Sequence, residues 1–368
     1  MFKNFVKITS FVLCLATMLA FGGCSGNETV KVDLPSSSEV PVSSEPEPVF
    51  AVNPLTGIEN LDPAAVNNRP VAVMINNLYP TAQSVQTGLN QADIVYEAYA
   101  EGGVTRLLAV FKDISKITKI GTIRSARYSY IDLAMGHDAI YVHAGINKSH
   151  ATPHVKETGI DNINLLGGGF GGMSFREKNG KAYEHTLYTT GEKLSNGFKK
   201  IKWRTELKNN KGMWQSFVTD DAEVTPATEC ETITVTMSSA YVSKFTYDKE
   251  TKTYKKFSAK KQHKDYVTGK QLSFKNVLVL KTAITPLGNE GVVKTGLTGG
   301  EGYYVTNGGY QKIKWSKGST SNPIKITLEN GKECAYNPGN TWVCLVNKNN
   351  SVKITAPAPK ASSTPAVK

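Results

Sequence analysis

The sequence predicts an α+β or α/β N-terminal domain with a mixed sheet, followed by a smaller all-β C-terminal domain. Three observations predict it. Residues 50–215 alternate short β-rich runs with helical ones, residues 229–354 carry short alternating runs punctuated by Gly, Asn and Pro, and the 368 residues exceed the ~250–300 at which single cores stop growing.

In the first half, PVAVMI, ADIVYEAY, TRLLAVF and AIYVHAG read as strands. RSARYSYIDLAM reads as a helix, because Ala126, Tyr130, Leu133 and Ala134 fall on one stripe. In the second half, ITVTM, SKFTYD, TYKKF, NVLVLK, GYYVTN, QKIKWS, IKITLE and TWVCLV are strand-length runs separated by turn residues. The Lys-, Asn- and Asp-rich stretch 195–228 reads as the join.

The flanks have a different character. Lys3 and Lys7 precede an apolar run from Ile8 to Ala20, shorter than the ~20 residues a membrane span needs, and AFGGCSG follows. Residues 1–23 are therefore expected to be a lipoprotein signal peptide with Cys24 as the lipidated residue; the alternative is an ordinary signal cut near the same place. Two acyl chains on Cys24 would hold the chain on a membrane where one gives only marginal binding. Residues 24–49, rich in Ser, Pro, Glu and Val, read as a disordered acidic stalk, and 355–368 as a disordered tail. The expected location is extracytoplasmic, on the outer face of the cell membrane.

Beyond Cys24 stand Cys230, Cys334 and Cys344, an odd number that argues against a disulfide framework. Cys334 and Cys344 flank an Asn-Pro-Gly-Asn turn, so either a hairpin bridge or three buried thiols fits.

The chemistry-bearing residues gather around a predicted hairpin. IVYEAYA and TRLLAVF as its arms, turning at Gly102-Gly103, would set Tyr99 opposite Arg106. Residues of one parity would then share a face: Glu97, Tyr99, Glu101, Arg106 and Leu108. Glu97 and Glu101 are candidate acid/base carboxylates, with Arg106 gripping an anionic group; the alternative is that Arg106 only neutralises two half-buried glutamates. Arg124 and Arg127, at the start of the predicted helix, have the planar fork that captures carboxylate or phosphate, or else pair with Asp132 and Glu97. His143 and His185, at strand-to-loop exits, are further candidate substrate-binding residues.

His150 and His154 have an i, i+4 zinc spacing, but Pro153 interrupts and no HExxH pattern accompanies them, so no metal is expected. GGGFGGM, from Gly167 to Met173, lacks a following GKS or GKT and reads as a loop. No cofactor is expected.

The net charge is +12, with lysines concentrated in Lys199–Lys211 and Lys244–Lys281, including Lys252, Lys255, Lys256, Lys260, Lys261 and Lys264. Outside the cell nucleic acid is not an expected partner. Peptidoglycan, teichoic acid and anionic headgroups are the polymers such charge would attract, unless these lysines form only a solvated face.

NRPVAVMINN (68–77), GLNQADIVYEAYAEGGVTRLLAVF (88–111), GTIRSARYSYIDLA (121–134), AIYVHAG (139–145), EHTLYTT (184–190) and NGKECAYNPGNTWVCLV (330–346) together resemble the YerB family of bacterial lipoproteins. Glu184 stands where that family often has proline and Thr186 where it often has asparagine. The resemblance implies a surface lipoprotein of two domains and no particular activity.

The resulting expectation is a lipid-anchored surface protein that binds or processes cell-wall glycan through a carboxylate/arginine cleft. If an enzyme, it would be of the glycoside hydrolase or lytic transglycosylase type. The alternative is a non-catalytic envelope binding or scaffold lipoprotein; solute capture for a transporter fits less well, because the two halves differ in class.

Overall fold

The computed structural model describes residues 49–201, 203–208, 216–219 and 222–358. The predicted signal peptide, Cys24, the predicted stalk up to residue 48 and the predicted tail from residue 359 lie outside the described residues.

The N-terminal region supplies β1 (Val71–Asn76), β2 (Ile94–Glu101), β3 (Val104–Phe111), α1 (Tyr128–Gly136), β4 (Ile140–His143), α2 (Ala151–Thr158), β5 (Asn162–Asn164) and α3 (Gly191–Lys200). Every residue of β1 and of β4 is buried, as expected of central strands covered on both faces. The C-terminal region is almost all strand: β6 (Thr232–Thr236), β7 (Val242–Asp248), β8 (Thr253–Ser258), β9 (Asn276–Thr282), β10 (Gly299–Thr306), β11 (Gly309–Ser316), β12 (Thr341–Asn347) and β13 (Val352–Thr355).

The two regions share one sheet. Among the described residues it has eleven strands, ordered β11-β10-β9-β12-β2-β3-β1-β4-β5, with short strands Thr228–Glu229 and Lys325–Leu328 both beside β11. The seam is the parallel pair β12·β2, which sets Thr341 opposite Ile94 and Cys344 opposite Glu97. A second, six-stranded antiparallel sheet built on β8-β7-β6-β13 packs against one face, where Ile233, Val235, Phe245 and Tyr254 meet Val95, Tyr99, Val277 and Trp342 in one core. Trp342 is fully buried there, its ring centroid 5.1 Å from Phe274 and 5.9 Å from Phe245. The other face carries α1, whose Tyr130, Ile131, Leu133 and Ala134 pack on Met74, Tyr96, Ala98 and Leu108 in a second core.

The hairpin β2·β3 forms around Gly102-Gly103, with Gly102 at a φ of 49°. Its register corrects the sequence reading: Arg106 lies opposite Ala98, and Thr105 opposite Tyr99. A bulge at Ala100 adds one residue between Tyr99 and Glu101, and one extra residue exchanges the faces of everything beyond it. Glu97 and Tyr99 therefore face the six-stranded sheet, whereas Glu101 and Arg106 face the α1 side.

Cys334 and Cys344 are free thiols in different cores, one on each face of the large sheet, and Cys230 is also free and buried. Strict alternation along β8 turns Lys255 outward and buries Lys256 to 1% exposure over the rings of Phe245 and Trp342, so Lys256 does not belong to the basic surface.

Candidate functional site

The segment Thr122–Ala126 inserts between the carboxyl ends of the parallel neighbours β1 and β4. Asn76 N–H donates to Thr122 O (2.8 Å), Arg124 N–H to Met74 O (3.0 Å), Ala144 N–H to Arg124 O (3.0 Å) and Ala126 N–H to Gly145 O (2.9 Å). The ends of parallel strands are where α/β sheets commonly place ligands. Here the wedge carries Arg124, and Arg127 follows it in extended conformation as the residue before α1.

Three guanidiniums converge on the edge of this wedge. Arg106, 6% exposed, donates to Glu101 Oε1 at 3.2 Å and also to the Ser125 carbonyl. Arg127 donates through Nε to the same Glu101 oxygen at 2.7 Å and through its terminal nitrogen as well. Arg124 pairs at 3.4 Å with Glu184, whose side chain is half exposed. Tyr130 of α1 fixes the hairpin beneath them: its hydroxyl lies 2.5 Å from the Ala98 carbonyl and accepts the Arg106 N–H at 3.2 Å.

The electrostatics follow from this packing. Burial would raise the pKa of Glu101, but Arg106, Arg127 and Arg124 outweigh it and hold the carboxyl below its ordinary value. Burial and the neighbouring Arg127 lower Arg106 to about 10, against the opposing pull of Glu101. Glu101 is thus an ionised acceptor held by two arginines and a poor proton donor near neutral pH. Arg124 is the least tied of the three, since its carboxylate partner is at a longer distance and open to water.

Glu97 does not join this cluster. It is 2% exposed, sealed between the two sheets, and accepts hydrogen bonds from Ser243 (2.6 Å), Thr105 (3.1 Å) and Asn77 (3.3 Å). No substrate reaches it there, and the pairing of Glu97 with Glu101 expected from the sequence is replaced by a structural role for Glu97.

The histidines divide. His143 is buried, with Nδ1 donating to the Gly145 carbonyl (2.8 Å) and Nε2 against the Asn162 amide (3.0 Å), which orders the loop after β4. His185 lies beside the arginines: Nδ1 accepts from Asn76 Nδ2 at 2.8 Å and Nε2 is 3.5 Å from Glu184. Burial lowers its pKa, reinforced by Arg124 and Lys181 and opposed by Glu184, so a neutral ring props Glu184 toward Arg124. His154 meets Asp132 (2.6 Å) and Glu157 (3.2 Å) and stacks on Tyr128 at 3.9 Å, while the backbone N–H of His150 donates to Asn147 Oδ1; the i, i+4 spacing serves helix packing.

The sequence reading passed over Asn76, Ser125, Arg176 and Tyr183, which complete the surroundings. Asn76 is signalled only as a polar residue ending an apolar strand, and Tyr183 only by its place before Glu184 and His185. Cavities lie elsewhere, among them one of about 500 Å³ lined by Arg69, Asp138, Asp161, Arg204 and Lys208, one of about 450 Å³ lined by Lys112, Asp113, Ser195 and Thr205, and one of about 400 Å³ between the glycine-rich loop and α3. In the first, Arg69 is already paired with Asp161 at 2.5 Å and Arg204 with Asp138.

Residues 55–204 match the family model described as protein of unknown function (DUF3048) N-terminal domain, and residues 233–343 match its C-terminal counterpart. YerB of Bacillus subtilis strain 168, which is named as a lipoprotein, is 30% identical over 297 residues, spanning 80% of this chain and 85% of its own. The crystal structure of Bacillus subtilis YerB is similar at a TM-score of 0.70 and 26% identity, covering 82% of this chain and 99% of that one. Among the described residues no helix is long and apolar enough to cross a membrane.

Proposed function

The chain belongs to the YerB-like, two-domain DUF3048 family, and from that premise we propose that it is a lipid-anchored extracytoplasmic protein that holds a carboxylate-bearing cell-wall polymer, peptidoglycan, at Arg124 and its neighbours without cleaving it. The anchor is supported by the basic and apolar leader before Cys24 and by the lipoprotein name of the Bacillus subtilis relative.

The observation that carries the binding role is the placement of the two glutamates. Glycoside hydrolysis by paired carboxylates needs both on one substrate, about 5–9.5 Å apart, and here a sheet separates Glu97 from Glu101. A lytic mechanism with one acid needs a protonated carboxyl, and Glu101 is held ionised by Arg106 and Arg127. What the geometry does favour is exchange at Arg124: an incoming carboxylate takes the place of Glu184 on the planar guanidinium, while Arg106 and Arg127 keep the local field positive.

The test is to incubate the purified protein with isolated peptidoglycan, free of teichoic acid, and to assay both sedimented protein and soluble fragments by mass spectrometry. Binding without fragments, weakened in Arg124→Ala, is expected. Fragments released by wild type and lost in Glu101→Gln would restore the enzyme; binding only to walls that retain teichoic acid would move the ligand to a phosphate polymer.

A further inference from the structure

We infer that Tyr183 is a sugar-stacking platform of this same site, so that the polymer is recognised through a pyranose ring lying next to its carboxylate; the inference rests on the carboxylate-binding role given above. Tyr183 is 73% exposed, against 47% for Phe50 and 41% for Tyr266. A ring so exposed usually wanders, but this one is held. The Arg176 guanidinium stacks 3.5 Å from its centroid, and the same guanidinium donates to the Tyr183 carbonyl (2.6 Å) and to Thr186 Oγ1 (3.2 Å). One face of the ring is thereby covered and the other is left for solvent.

Its position ties it to the anion site. Tyr183, Glu184 and His185 form one short 3-10 turn, in which Glu184 pairs with Arg124 and His185 is bonded to Asn76. The platform therefore immediately precedes, in the turn, the carboxylate that pairs with Arg124. Charged residues stand on its covered face and in the adjoining chain: Arg176, Lys181 and Glu184. An apolar protein partner would ask for a contiguous patch. A single aromatic face among hydrogen-bonding groups instead suits a pyranose, which offers weakly positive axial C–H bonds to the negative π-face and hydroxyls to the rim. A sugar that carries a carboxylate on a short arm, as muramic acid does, meets both features at once. Holding the ring beforehand reduces the ordering cost of binding.

The test is titration of the full-length mature protein with N-acetylglucosaminyl-N-acetylmuramic acid, with chitobiose as the carboxylate-free probe. Variants are Tyr183→Ala, Tyr183→Phe and Arg124→Ala, with circular dichroism to confirm folding. The expected result is that Tyr183→Ala weakens the muramyl disaccharide by about tenfold and abolishes any chitobiose binding. Tyr183→Phe keeps both, and Arg124→Ala affects only the muramyl probe. Wild-type affinity in Tyr183→Ala together with a loss in Arg124→Ala would overturn the platform and leave the carboxylate site standing. Unchanged affinity in both variants would overturn the two together.

Discussion

Glu97 and Arg106 lie on opposite faces of one β-hairpin, Arg106 across from Ala98 and Glu97 one residue earlier, pointing into the space between the two sheets. The bulge at Ala100 then returns Glu101 to the Arg106 side. Two acidic residues four apart in sequence thus have unrelated roles, one stitching the two regions together and one organising arginines at the surface.

If Glu97 is structural, its removal should cost stability and leave wall binding alone. Glu97→Ala strands the Ser243, Thr105 and Asn77 donors in a sealed space, at roughly 1–3 kcal/mol; Glu97→Gln, which keeps an acceptor, should cost less. Urea unfolding measures the first effect and sedimentation with peptidoglycan the second. A Glu97→Gln protein as stable as wild type but unable to bind the wall would place this residue in the site after all.

Glu101 should make stability depend on acid. Its folded-state pKa is below the ordinary 4.5, so the stabilisation is complete above that value and disappears as pH falls through the lower folded value. The Tm gap between wild type and Glu101→Gln should be widest at neutral pH and narrow as pH falls below 4.5 through the lower folded value. A gap independent of pH would mean that the arginines do not hold the carboxylate as described.

His137 should act in the same direction over a higher range. It ends α1, is 2% exposed with its Nε2 2.7 Å from the Tyr96 hydroxyl, and burial, helped by Lys317, lowers its pKa to about 3 from 6.5. Between those values the unfolded chain binds the proton and the folded one does not, so stability rises with pH from about 3 to 6.5. Each pKa unit of that gap corresponds to about 1.4 kcal/mol. His137→Gln, which keeps a polar partner for Tyr96 and cannot titrate, should flatten the urea midpoint across this range; an unchanged slope would assign the acid sensitivity elsewhere.

Much of this architecture was legible in the residues. The unbroken apolar runs of β1 and β12, the alternation in β6 to β8 and the stripe of α1 each follow from burial on two faces, one face or one side. The Gly102-Gly103 turn was equally plain. The bulge was not, because Ala100 differs in no way from a regular strand residue, and that single insertion decided which carboxylate met which arginine. The seam between β2 and β12 was hidden for another reason: strands some 250 residues apart in sequence pair through backbone groups that no side-chain pattern announces. TYKKF concealed the burial of Lys256, since two adjacent lysines must point to opposite faces and the sequence does not say which face is the core.

Whether Arg124 receives a carboxylate of the cell wall, as proposed, is read most directly from the binding isotherms of wild type and Arg124→Ala on native peptidoglycan and on peptidoglycan whose carboxyls have been amidated. Amidation should weaken wild type by about tenfold or more, to the level of the variant, and leave the variant unchanged. Equal binding of wild type to native and amidated polymer would contradict the proposal.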